Sequence, residues 1–189
     1  RSNQGAQLFR SLGLKAGDHI ALMMENNARF LEICWAAQRS GLIFTPIATH
    51  LKRDETEYVL SNCGASLFIG SHPLKEAAIH AKEDASGVEH FLMVGGITDG
   101  FDSWEEALSL QAAAPIEDEQ NGVPMLYSSG TTGQPKGVLV PPPSEEVDTP
   151  PMATRLGQLF GFGEETVYLS PAPLYHAAPL HYNMMTLYQ

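Results

Sequence analysis

Short apolar runs bounded by glycine or aspartate alternate with segments of helical period along most of this chain, and few folds accommodate that alternation. Ser2 to Leu12 places Ala6, Leu8, Phe9 and Leu12 near helical spacing, and Gly13 supplies a stop. Asp18 leads into His19-Ile-Ala-Leu-Met-Met24, a run apolar enough for a strand buried on both faces. Asn27 to Ser40 carries a stripe of Phe30, Leu31, Cys34, Trp35 and Ala37, closed by Gly41, and Leu42 to Ile47 reads as the next strand. The pattern continues with a helix from Asp54 to about Asn62, where Asp54 and Glu57 resemble a capping box. A strand is expected at Ser66 to Gly70, a helix at Pro73 to Lys82, a strand at Phe91 to Val94 and a helix at Ser103 to Leu110. Such alternation predicts an α/β fold, a mostly parallel sheet covered by helices.

Beyond this half the signals are more broken. Gln111 to Gly122 turns to Ala, Pro and acidic residues and reads as a connecting loop, after which Val123 to Tyr127 and Gly137 to Val140 are strand candidates. The run Pro141 to Pro151 is expected to be an ordered surface loop, because its prolines lack donors and fix the backbone. Ala153 to Phe160 is read as a helix, Thr166 to Ser170 as a strand and Pro179 to Gln189 as a helix.

Between the two strand candidates lies Tyr127-Ser-Ser-Gly-Thr-Thr-Gly-Gln-Pro-Lys-Gly-Val138. Ser128, Ser129, Thr131 and Thr132 crowd four hydroxyls together, and Gly130 and Gly133 allow positive φ and close approach of the backbone to a ligand. Successive N–H groups in such a turn make an anion-binding concavity, to which Lys136 adds a cation. This set suits a polyphosphate. It is not a Walker A loop, because Lys136 follows Pro135 and precedes Gly137 instead of standing in a Gly-Lys-Ser/Thr end. The plain alternative is a Ser/Thr/Gly-rich hairpin turn with no ligand.

The whole string resembles the signature of the adenylate-forming superfamily, which includes acyl- and aryl-CoA synthetases, peptide-synthetase adenylation domains and beetle luciferases. The resemblance implies ATP as a substrate, its phosphates held by Ser129, Gly130, Thr131, Thr132, Gly133 and Lys136. Ser128 is then a candidate for touching the Mg²⁺ that accompanies ATP. A second string, Leu169-Ser-Pro-Ala-Pro-Leu-Tyr-His-Ala-Ala-Pro-Leu180, resembles the family's next motif. There Tyr175 would wall an acyl pocket and His176 would donate to a carboxylate or acyl-adenylate oxygen. Gly17-Asp-His-Ile-Ala-Leu22, Asn26-Asn27, Phe30, Gly41 to Ile47 and Tyr58 to Ile69 are also similar to the first subdomain of acyl-CoA synthetases.

By this resemblance the chain is part of the large amino-terminal domain of an acetyl-CoA-synthetase-like fold. Residues 1–189 would hold a first α/β subdomain with the phosphate loop at 127–138 and the start of a further subdomain from about 152. The family's adenine-binding strand, its Mg²⁺-binding Glu, its ribose-binding Asp and the small carboxy-terminal domain with its Lys have no counterpart before Gln189. The expected activity is that of a longer parent: activation of a carboxylic acid, fatty by preference, and transfer to coenzyme A, with the fragment alone inactive. A peptide-synthetase-type adenylation domain and a non-catalytic nucleotide-binding module are the alternatives. One departure is Pro141-Pro-Pro-Ser144, where family members continue with a polar, His-bearing helix start.

The formal charge of −11, from 11 basic and 22 acidic side chains, argues against non-specific attachment to nucleic acid or anionic lipid. No segment approaches the roughly 18 uninterrupted apolar residues of a membrane span. The start at Arg1-Ser-Asn-Gln4 does not read as a signal or transit segment. Cys34 and Cys63 fall in helical patterns and read as packed thiols rather than a disulfide or metal pair, which suits a cytoplasmic setting. His19, His50, His72, His80, His90 and His181 lack metal-ligand spacing and read as structural. A truncated sheet would leave apolar surface open, so self-association or a paired edge strand is expected.

Overall fold

The structure is a computed structural model that describes residues 1–128, 135–141 and 157–188. The alternation read from the sequence becomes α1 (Ser2–Ser11), β1 (His19–Met23), α2 (Ala28–Arg39), β2 (Ile43–Pro46), α3 (Arg53–Cys63) and β3 (Leu67–Ser71). It continues through α4 (Lys75–Asp84), β4 (His90–Val94), β5 (Asp102–Ser103) and α5 (Trp104–Ser109). The second half supplies β6 (Val123–Ser128), β7 (Lys136–Leu139) and α6 (Ala177–Tyr188).

The strands form one sheet in the order β5-β4-β3-β1-β2-β6-β7. Every neighbouring pair from β5 to β6 is parallel, and β7 runs antiparallel to β6 at the edge. Because β1 sits between β2 and β3, the chain reverses its direction of travel across the sheet there. Ligands of open α/β sheets bind beyond the carboxyl ends of strands at such a reversal.

Successive strand residues feed opposite faces, as the two-residue period of a strand requires. Ile20 and Leu22 join Leu8, Phe9, Phe30, Ile33 and Trp104 under α1, α2 and α5. Ala21 and Met23 join Val59, Leu60, Cys63, Ala78 and Ala81 under α3 and α4. α6 returns to the first face, where Leu180 and Met184 enter the same cluster as Phe30 and Trp104.

The predicted cap of α3 is corrected. The N-cap is Lys52, two residues before Asp54, and the backbone N–H of Lys52 donates to Glu55, so Glu55 and not Glu57 closes the first turn. Pro73 lies in a 3-10 turn, His72–Leu74, which precedes α4. Thr166 to Ser170 is not a strand: Val167 is 98% exposed and the segment pairs with no other strand among the described residues. An apolar run supplies strand propensity, but only a hydrogen-bonding neighbour makes a strand. Of the helix expected at 153–160, residues 157–159 are helical and Phe160 lies in a turn, while 153–156 lie outside the described residues, as does Pro-rich 142–151. Cys34 and Cys63 are both buried and unpaired. No helix among the described residues is long and apolar enough to cross a membrane.

Candidate functional site

β6 enters the sheet through a narrow slot. The N–H of Gly122 donates to Gln38 O at 2.6 Å and the N–H of Val123 donates to Leu42 O at 3.1 Å, which ties the strand between α2 and β2. From there β6 and β7 pair in antiparallel register, Met125 with Leu139, Tyr127 with Gly137 and Ser128 with Lys136. The two described strands are therefore the arms of a hairpin on either side of the hydroxyl- and glycine-rich string, with Ser128 and Lys136 facing each other at its base. Both are exposed. Ser129, Gly130, Thr131, Thr132 and Gly133 lie outside the described residues.

Two cavities meet beside this hairpin. One, of about 650 Å³, lies between α2, the β6–β7 hairpin and α6, and is walled mainly by Trp35, Leu126, Val138, Val140, Met184 and Met185. The other, of about 610 Å³, lies beyond the carboxyl end of β2 and is lined by Pro46, Ile47, His50, Leu51, Glu55 and Pro135. Tyr127, Ser128, Tyr175, His176 and Ala177 border both. The two residues singled out from the second motif thus stand where the apolar chamber opens toward the hairpin base. Lys136 lines neither cavity.

Tyr175 and His176 lie just before α6 in a segment fastened at several points. The Asn26 amide donates to Ala172 O at 2.9 Å and accepts from Leu174 N at 2.8 Å, and Leu174 is buried. The amide of Asn183 donates to Ser170 Oγ at 2.6 Å. The Tyr175 hydroxyl reaches His50 Nδ1 at 3.4 Å, and the Tyr175 ring lies against both His50 and His176, with centroids 5.9 and 4.6 Å away. Tyr127 points its hydroxyl to Asn62 Oδ1 at 2.6 Å. Burial, then the neighbouring Cys63 and Tyr58, push its phenol well above the usual tyrosine range, so it stays neutral.

Sequence reasoning missed part of this site. His50 and His181, read as structural, both border cavities. His181 lines the apolar chamber, where partial desolvation lowers its imidazole below the ordinary value although the residue keeps a solvent-exposed edge. His50 carried a positional signal, since it follows the carboxyl end of β2, where α/β sheets place their ligands. Asn26 follows β1 in the same way, although nothing in its own spacing marks a partner almost at the other end of the chain.

The fit to nucleotide and metal is uneven. A hydroxyl and an ammonium at the hairpin base match a phosphate chain. For Mg²⁺ the described residues offer the Ser128 hydroxyl, and no three His, Cys, Asp or Glu side chains among them gather as a metal-holding group. They do not by themselves make a magnesium site, which needs several oxygen ligands.

A family model described as AMP-binding enzyme matches residues 1–189. A crotonobetaine/carnitine–CoA ligase of Escherichia coli is 34% identical over 149 residues, covering 73% of this chain and 28% of the relative. A long-chain-fatty-acid–CoA ligase of Mycobacterium tuberculosis is 31% identical over 186 residues, covering 95% of this chain and 35% of the relative. The solved structure of a red-emitting luciferase from Phrixothrix hirtus superposes with a TM-score of 0.79 over 97% of this chain and 47% of its own, at 18% identity, a likeness of fold. The chain thus spans about a third of the length of the curated relatives it matches.

Proposed function

This chain belongs to the AMP-binding enzyme family, and from that premise we propose that the complete protein activates a carboxylic acid with ATP and passes the acyl group to coenzyme A. The observation that carries the reading is the placement of Tyr175 and His176, which border the apolar chamber and, with Ser128, the base of the hairpin. An acid with an apolar body would lie in the chamber and bring its carboxylate to that border. Similarity to a long-chain-fatty-acid–CoA ligase and to a crotonobetaine/carnitine–CoA ligase favours an aliphatic acid.

In this reading Ser128 and Lys136 hold the β- and γ-phosphates from the two strands of the hairpin, and Ser129, Gly130, Thr131, Thr132 and Gly133 supply further hydroxyl and N–H donors to them. A carboxylate oxygen attacks the α-phosphorus, the bond to the β-phosphate oxygen breaks, and pyrophosphate leaves. His176 donates a hydrogen bond to the carboxylate or acyl-adenylate oxygen, and Tyr175 walls the pocket. The thiolate of coenzyme A then attacks the acyl carbon and AMP leaves. Mg²⁺ would arrive with ATP and neutralise phosphate charge, with Ser128 as one oxygen ligand. Catalysis is mostly positioning and charge stabilisation, since no protein atom is covalently changed. Residues 1–189 then form part of the amino-terminal domain, with hairpin 127–138 completing its first unit and a further unit starting near 152. The unpaired thiols suit a cytoplasmic protein.

The test is pyrophosphate–ATP exchange by the complete protein across a panel of carboxylic acids. Exchange dependent on an apolar acid, and weakened when Lys136 is replaced by Ala, is expected. No exchange with any acid would overturn the reading.

A further inference from the structure

The turn that follows β1 is Glu25-Asn26-Asn27, and its outer members are committed to the scaffold. Glu25 accepts from Ser71 Oγ at the carboxyl end of β3, and from the side chain of Asn27 at 2.8 Å. Asn27 caps α2 by accepting from the N–H groups of Arg29 and Phe30. The turn is thereby tied to β3 and α2 at the sheet's point of reversal. Asn26, between these fixed neighbours, sends its side chain to neither. Both ends of its amide are spent on the backbone of a segment 146 and 148 residues away, as donor to Ala172 O and acceptor from Leu174 N.

We propose that Asn26 is a positioning residue for the proposed adenylation site: its amide clamps the backbone at 172–174 and so sets where Tyr175 and His176 stand. The clamp works because its two bonds bracket Pro173. The His176 N–H donates back to Pro173 O at 3.2 Å and the Leu180 N–H donates to His176 O at 3.1 Å, so the clamped residues lead directly into the first turn of α6. Burial of Leu174 anchors the same point from below. The carboxyl end of β1 is where an open α/β sheet usually meets its ligand. Here that strand end holds the segment that carries the site residues, so the sheet meets the substrate through Asn26 at one remove. Asn183 and His50 grip the flanking residues Ser170 and Tyr175, but neither holds main chain of residues 172–174.

Each neutral hydrogen bond contributes a factor of about 2 to 10, so loss of both should lower the adenylation rate by about 4- to 100-fold. The inference rests on the activity proposed above, and two readouts keep their failures apart. The first is amide hydrogen exchange at Leu174 and His176 in the complete protein. Asn26→Ala should speed both amides while leaving β1, β3 and α2 protected. Asn26→Asp, which keeps the acceptor and loses the donor, should retain most of the protection at Leu174. The second readout is carboxylate-dependent adenylation. Asn26→Ala should lower kcat with the KM for ATP changed less than about twofold, because the phosphate hairpin is untouched. Combined with His176→Ala it should add little, since both act through one group. If Asn26→Ala does not fold, Asn26→Leu, close in volume and able to make neither bond, carries the same two tests. Unchanged exchange at Leu174, or rate losses that multiply with His176→Ala, would overturn the clamp. A wild-type protein that makes no adenylate but shows the expected exchange pattern would overturn the activity and support the clamp.

Discussion

Replacing Gly122 by Ala should do damage out of proportion to one methyl group. A Cβ built there stands 2.3 Å from Leu42 O, 2.7 Å from Ala37 O and 2.8 Å from Leu42 N, all backbone atoms that cannot rotate away. Relief needs a backbone shift of about 1 Å, on the scale of overpacking penalties of about 1–3 kcal/mol. That shift strains the bonds from Gly122 N to Gln38 O and from Val123 N to Leu42 O, at about 0.5–1.5 kcal/mol for one lost. The sum is about 2–4 kcal/mol. With a urea m-value of about 2 kcal/mol/M, the unfolding midpoint of the chain should fall by about 1–2 M at unchanged m. Gly163→Ala is the control, since a Cβ there meets nothing within 4 Å. Equilibrium urea unfolding followed by circular dichroism measures both. A Gly122→Ala midpoint within about 0.3 M of Gly163→Ala, less than about 1 kcal/mol at that m-value, would refute the slot as the anchor of β6.

Burial works against the charge of Glu25, yet hydrogen bonds from Ser71, its own backbone and Asn27 hold its carboxyl below the ordinary 4.5. A folded value depressed in this way gives stability that is full above the unfolded pKa and is lost as pH falls through the folded one. Ser71→Ala should therefore cost stability near neutrality, with the gap to wild type narrowing below the ordinary carboxylate range. A gap that stays constant from pH 7 downward would show that Ser71 acts by packing alone. Burial pushes the thiols of Cys34 and Cys63 up, so neither should react with an aromatic disulfide reagent in the native protein, and both should react in denaturant. Fast native labelling would contradict the buried placement. β7 is an exposed edge whose Val138 and Leu139 are 54% and 43% exposed, so this chain by itself should self-associate with increasing concentration. Val138→Lys should suppress it in sedimentation velocity, and a clean wild-type monomer would count against an open edge.

Much of the fold was legible locally because apolar periodicity records which faces of an element are buried. The runs at 19–24 and 42–47 became parallel strands, and the stripe through Phe30, Cys34 and Ala37 became the buried face of α2. Thr166 to Ser170 misled for the complementary reason: propensity is local, whereas a strand needs a partner. The two-residue β5 was too short to leave a period.

The site divides in the same way. The order of residues 127–138 determined by itself the hydroxyls, glycines and lysine that suit a polyphosphate, because those are properties of residue types in sequence. It also determined the family resemblance that the match over residues 1–189 bears out. Only the tertiary structure decided that Ser128 faces Lys136, that Tyr175 and His176 border the same cavities as Ser128, and that Asn26 and His50 hold the segment carrying that pair. Those neighbours come from β1, β2, β6 and the start of α6, elements brought together by the order of strands in the sheet. No local pattern encodes that order, because it is chosen by the free energy of closing the whole core.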